Sequence, residues 1–429
     1  IFGAPLAIEA LMAFFLESTL FGLFFFGWER MSKVKHLAVT WLMAIATNLS
    51  ALWILIANGW MQYPIGSEFN IETMRMEMTS FAEVLLNPVA QVKFVHTVSA
   101  GYVTGAIFML AISSWYLLKG LDLPFARRSF AIASAFGLAG VLSVIVLGDE
   151  SGYEAGEVQQ VKLAAIEAEW ETQEAPAAFT LFGLPNEETQ HTDYAVKIPA
   201  VLGLIATRSL DEQVPGLREI KENNLKRIVR GQQAYDLMQR IRAGDKSATT
   251  LEAFNAVRDD LGFGLLLSGY TDDVLNASPE EIAAAVEATV PKVWPLFWSF
   301  RVMVGCGMLM LLLFACAFWH SARRTPDKPK WLLKFAIFSL PLPWIACETG
   351  WFVAEYGRQP WAIGEILPTH LAVSSLSVSE VWFTLISIAV LYTIFVIIEV
   401  WLMTKYARKG PSSLHTGRYD LETTHVQEA

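Results

Sequence analysis

Ionisable and ligand-forming side chains inside apolar segments carry the first chemical information, because a charge in a bilayer is costly unless it is paired or hydrated. Glu9 and Glu17 lie in a first apolar run, His96 near one end of a third, Arg301 and Met303 in a fifth, Glu348 and Glu355 in a sixth, and Glu399 in the last. Of the histidines, His36 and His320 sit at segment edges, His191 and His370 in outer loops, and His415 and His425 in the tail, which leaves His96 at depth. A lone histidine on an apolar helix is more often a hydrogen-bonded core residue. Here Ser99, Ala100, Gly101, Thr104 and Gly105 follow it and can admit a flat macrocycle against the backbone. A low-spin haem needs a second strong axial ligand, and with no other histidine at that depth the remaining soft donor is methionine. Met303 qualifies, with Arg301 two residues away to offset a propionate or an electron-rich state. Packing is the competing reading for any one of 13 methionines.

Glu348 and Glu355 are spaced so that both acids fall on one helical face, with Trp351 between them and Arg358 one turn beyond. Carboxylates there can ligate iron, relay protons or pair with a cation. An anionic hard ligand would leave iron five-coordinate, able to bind dioxygen or accept electrons; a structural ion pair is the alternative.

These residues require a membrane to hold them. The chain is 54% hydrophobic and 17% charged, above the apolar content of soluble domains. Runs near 8–27, 37–57, 94–118, 130–147, 294–319, 332–355 and 382–404 are each long enough to cross a bilayer as helix. The expected fold is therefore all-α: a polytopic transmembrane helix bundle of about seven spans, with a long extracytoplasmic loop domain. Basic residues cluster at Arg30–Lys35, Lys119–Arg128, Arg323–Lys330 and Lys405–Lys409, on alternate connections and the tail. The positive-inside bias makes those cytoplasmic and puts the connections 58–92, 148–293 and 356–381 outside. The expected division is 1–147 (four spans), 148–293 (outer loop), 294–406 (three spans) and 407–429 (cytoplasmic tail). The stretch 148–293 is polar, lacks a spanning run and is too long for mere connection; a scaffold for another subunit is the bland reading. Cys306, Cys316 and Cys347 sit in apolar spans at no metal-ligand spacing and are read as packing. The chain opens on Ile1 directly before a span, without a signal-peptide pattern, so further N-terminal sequence is expected.

Three runs are specific enough to indicate a family: Gly357-Arg358-Gln359-Pro360-Trp361 after Ala354-Glu355-Tyr356, Phe14-Phe15-Leu16-Glu17-Ser18-Thr19, and Gly148-Asp149-Glu150-Ser151-Gly152-Tyr153-Glu154. In this order, beside His96 and the long outer loop, they closely resemble subunit I of cytochrome bd ubiquinol oxidases, end to end. The resemblance implies that His96 and Met303 are the axial ligands of a low-spin b haem, with Arg301 and Trp351 near its edge. It also implies that Glu355 ligates a high-spin b haem iron, that Glu9 lies beside the oxygen-binding d haem, and that Glu17 and Ser50 deliver protons from the cytoplasm. Lys162 and Glu167, in Val161-Lys162-Leu163-Ala164-Ala165-Ile166-Glu167, match the family's quinol-binding loop in its long form. The implied cofactors are two b haems and a d haem, or a third b haem in its place. The implied partners are quinol, dioxygen, a second large membrane subunit and a small single-span subunit; no nucleic-acid partner is expected. The family has nine spans and an N-terminal histidine ligand, and this sequence begins after the corresponding segment.

The activity expected from this resemblance is that of a haem-bearing quinol oxidase of the bacterial inner membrane, serving aerobic respiratory electron transport. Quinol is oxidised outside, dioxygen is reduced to water, and a proton motive force arises by vectorial charge separation without pumping. A haem-binding electron-transfer or accessory subunit without its own dioxygen chemistry is the alternative. A proton-coupled transporter would show inverted repeats and broken helices around a midplane site. A bis-histidine cytochrome would need a partner histidine that His96 lacks.

Overall fold

A π-helical stretch over Glu9–Phe14 interrupts α1 (Gly3–Phe26), the kind of local widening that often accompanies functional side chains. Short polar residues set the starts of the next helices. Ser32 accepts the Lys35 amide at 3.4 Å ahead of α2 (Lys33–Gln62). A hairpin of β1 (Ser67–Asn70) and β2 (Arg75–Met78) follows. Asn87 then accepts the Ala90 amide at 3.3 Å ahead of α3 (Pro88–Lys119), where Pro88 presets the first turn. The computed structural model describes residues 1–27 and 30–411; most of the expected tail, with His415 and His425, lies outside the described residues.

After α4 (Leu123–Val158) the chain enters the long insert. The helix runs on well past its apolar part, carrying Asp149, Glu150, Glu154 and Glu157 beyond it. Arg208 of the insert forks onto the first two of these, at 2.5 Å and 2.8 Å. The insert comprises a short helix α5 (Gln160–Glu167), an antiparallel pair β3 (Phe179–Asn186) and β4 (His191–Ile198), and a long amphipathic helix α6 (Leu217–Arg242) on which further short helices pack. Its core gathers Ile228, Phe263, Leu266 and Leu267, all buried. A second cluster, of Ala164, Ala165, Leu217, Val293, Leu296 and Phe297, fastens α5 and α6 to the N-terminal end of α7 (Val293–Ala322).

The central membrane core is formed by α3, α4 and α7 together with α8 (Lys330–Phe338), through Ile107, Leu110, Phe130, Leu313, Phe314 and Leu332. The sixth expected span is not one straight helix. It is α8 followed by α9 (Leu342–Tyr356), bent by 41°. Pro341 and Pro343 lie at and just after the break, removing amide donors and crowding the preceding turn; the expectation of an unbroken span is corrected there. With that pair counted once, seven spans stand among the described residues, the last being α10 (Val378–Lys409), opened by a Ser377/Glu380 capping box. No residue in the most apolar window of α10 is buried, which leaves that face to lipid or another polypeptide.

Candidate active site

Residues from α2, α3, α5 and α9 meet at Glu355. Its Oε1 accepts Asn58 Nδ2 at 2.9 Å and Gln62 Nε2 at 3.2 Å, and its Oε2 accepts Arg358 Nη2 at 2.6 Å. Each amide has a cation behind it. Lys93 Nζ donates to Asn58 Oδ1 at 3.0 Å, and Lys162 Nζ donates to Gln62 Oε1 at 2.7 Å and to Gln159 Oε1 at 2.6 Å. The local fold explains the meeting: α2 presents Asn58 and Gln62 one turn apart at its C-terminal end, and the turn after α9 brings Arg358 back onto Glu355. Burial pushes the Lys162 ammonium well below its ordinary range; Lys93 and Arg358 act in the same direction and Glu355 against it. Gln62, Gln159, Lys162, Arg358 and Trp361 line a cavity of about 1590 Å³ between the β1–β2 hairpin, α5, α6 and the loop after α9.

A second cluster forms where α5 meets α7. The Arg301 guanidinium donates to Glu167 Oε2 at 2.8 Å and to the carbonyls of Ile166 and Thr180, both at 2.5 Å, and lies 3.5 Å from the Phe297 ring centroid. Burial raises the Glu167 carboxyl to about 7, against the pull of Arg301. Glu169, also buried, is raised by burial as well, and its Oε1 has no hydrogen-bond partner. Lys162 and Glu167 therefore do not share one site. Five residues apart on α5, they point roughly 140° apart, one toward Gln62 and the other toward Arg301.

On α3, His96 lies against α4: a side chain at Gly148 would start 3.4 Å from its Cε1, and its Nδ1 is buried without a hydrogen-bond partner. On α7, Met303 lies against α9, where a side chain at Gly350 would start 2.8 Å from its Sδ. Gly307, one turn on from Met303, faces open space. Gly101 and Gly105 also face open space, but roughly 140° and 180° around the helix from His96. Gly148 thus lets α4 pack against the His96 ring, while Gly101 and Gly105 open other faces of α3. Ser50 donates to Glu9 at 2.8 Å, so Ser50 is joined to Glu9 rather than to Glu17, which is half-buried further along α1. Trp351 is 49% exposed and Glu348 is exposed, so neither joins the Glu355 cluster.

The donor set fits iron porphyrins. An imidazole with a free buried nitrogen and a thioether beside an open glycine suit a low-spin iron. A carboxylate whose Oε2 accepts one hydrogen bond keeps a lone pair for a harder, high-spin one. Asn58, Gln62, Lys93 and Gln159 escaped the sequence reading. Lys93 was detectable as an intramembrane charge, had the third span been started at Pro88 instead of near residue 94. The amides carry no such signal.

Residues 1–411 match the family model described as cytochrome bd terminal oxidase subunit I. The chain belongs to this family. It is a haem-bearing subunit of a terminal oxidase and a multi-pass membrane protein, part of a multi-subunit complex. It is 55% identical over 416 residues to the cytochrome bd-II ubiquinol oxidase subunit 1 of Escherichia coli (strain K12), covering 97% of this chain and 81% of that relative. It is 31% identical over 422 residues to the cytochrome bd ubiquinol oxidase subunit 1 of Bacillus subtilis (strain 168), covering 98% and 77%. The solved bd oxidase from Geobacillus thermodenitrificans shares the fold, with a TM-score of 0.69 at 24% identity over 96% of this chain and 79% of that one.

Proposed function

We propose that this chain oxidises quinol on the outer side of the bacterial inner membrane and passes the electrons to dioxygen, with its C-terminus in the cytoplasm. The observation that carries the reading is the shared Gln62. It bonds Lys162 of the quinol-loop motif and Glu355 of the candidate iron site, so the two are one side chain apart. His96 and Met303 hold a low-spin b haem, Glu355 a high-spin b haem, and Glu9 stands beside a d haem or a third b haem. Bound there, these groups supply one-electron transfer and dioxygen reduction.

The chain's own residues do the rest. Lys162 faces the cavity and donates a hydrogen bond to a quinol oxygen. Glu167, raised to about 7, accepts a proton near neutral pH, while Arg301 fixes its orientation against the turn before Met303. Glu17, with Ser50 and Glu9, moves protons from the cytoplasmic side toward the oxygen site. Protons released outside and consumed from inside generate membrane potential without a pump. A second large membrane subunit, and a small single-span one, cover apolar faces such as that of α10.

Reduced-minus-oxidised spectra of membranes from a host without its own bd oxidase test the ligand assignment. His96→Ala should abolish the low-spin b signal alone. An unchanged spectrum would make His96 a packing residue. Electrometry that detects no proton uptake from the cytoplasmic side during turnover would overturn the vectorial part.

A further inference from the structure

Lys93 belongs to none of the sequence motifs, yet it is one of three cations gathered around a single carboxylate. Lys93 reaches Glu355 through Asn58, Lys162 reaches it through Gln62, and Arg358 bonds it directly. Both lysines are received by neutral amide oxygens, so neither is neutralised by a carboxylate of its own. The Nε and Nη1 of Arg358 are buried with no partner. Glu355 acts electrostatically on both Lys162 and Arg358. Such a surplus of buried positive charge is unfavourable in the chain alone and becomes favourable once negative charge is placed beside it.

We propose that Lys93 is a positioning residue for the redox chemistry: held by Asn58, it completes a positive field around Glu355 that stabilises the reduced form of a haem iron at that carboxylate. The inference rests on the reading of Glu355 as an iron ligand. The step is the one-electron reduction of ferric to ferrous iron, its electron coming from the quinol that the enzyme oxidises. The ferrous site carries one more negative charge than the ferric, so each cation held nearby raises the midpoint potential. Lys93 also stands one turn before His96 on α3, so the same side chain ties the low-spin candidate helix to the high-spin candidate carboxylate.

Potentiometric titration of the purified oxidase complex, followed at the high-spin haem bands with haem content measured in parallel, tests the proposal. Lys93→Gln should lower the reduction equilibrium of that haem about tenfold, 59 mV for a one-electron couple, and Lys93→Arg should restore it. If Lys93→Gln does not retain haem, Asn58→Asp decides, since a carboxylate placed between Lys93 and Glu355 should lower the same potential. Haem retained at an unchanged potential in either variant overturns the proposal. A wild-type complex with no high-spin haem at all would instead overturn the reading of Glu355 on which it rests.

Discussion

At Arg301 one guanidinium is engaged by a carboxylate, three backbone carbonyls and an aromatic face, whereas at Glu355 one carboxylate is shared by an arginine and, through two amides, by two lysines. Both clusters lie on the insert side of the helix bundle, and both involve α5. The first pairs one cation directly with one carboxylate and fastens the insert to α7. The second carries excess positive charge and has a cavity along one wall. A balanced buried pair contributes little beyond a well-packed apolar contact, though removing one partner is costly. An unbalanced cluster makes sense where a further negative charge has to be held. The contrast separates a cluster that pairs one cation with one proton-accepting carboxylate from a cluster arranged to hold further negative charge.

The largest effect is expected where that imbalance is made worse. Glu355→Gln leaves Lys93, Lys162 and Arg358 facing one another without an anion, and should destabilise the folded chain by about 3–5 kcal/mol as well as remove the high-spin haem signal. Thermal unfolding and spectra of the purified complex measure the two together. A variant of wild-type stability would mean that the three cations are compensated from elsewhere, and the contrast between the clusters would collapse.

Next comes the pH dependence of the Arg301 cluster. Because burial raises the folded-state value of Glu167 from 4.5 to about 7, the folded chain holds this proton more tightly than the unfolded chain. Its contribution to stability is therefore full below about pH 4.5 and is lost as pH rises through about 7. The shift corresponds to about 3 kcal/mol at roughly 1.4 kcal/mol per unit. Glu167→Gln, which keeps a hydrogen-bonding group toward Arg301 but cannot ionise, should flatten the fall in unfolding stability between pH 5 and pH 8. An equal fall in the variant would assign the slope to another group, with buried Glu169 next in line.

The sequence made the spans and the family motifs legible because each is a local pattern: an apolar run of bilayer length, a basic cluster at alternate ends, a contiguous Gly357–Trp361 motif. The arrangement of the site was less accessible. Lys162 and Glu167 read as one pair because they are close in sequence, but helical geometry turns them to different neighbours. Glu348 and Trp351 share a face with Glu355 by helical spacing, yet the Glu355 partners come from α2 and the turn after α9. Asn58 and Gln62 are ordinary amides in an apolar helix, and only the approach of α3 and α9 to α2 gives them a role. The break at Pro341 was written in the sequence, but the apolar run continues across it and hid the bend.

The smallest effect should appear at the exposed joint between insert and membrane helix. Arg208 forks onto Asp149 and Glu150 much as Arg301 engages Glu167, but its side chain is 37% exposed and its partners 43% and 45%, against 9% and 3% for the buried pair. Water and salt screen the exposed fork, and the side chains lose rotamer freedom in forming it. Arg208→Ala should therefore change unfolding stability by about 1 kcal/mol or less, and the difference should shrink further at high ionic strength. The haem spectrum should not move, since the insert remains fastened through Leu217, Val293 and Phe297. A loss comparable to that at Glu355, unmoved by salt, would show that the C-terminal end of α4 anchors the insert more strongly than the α5–α7 contact does.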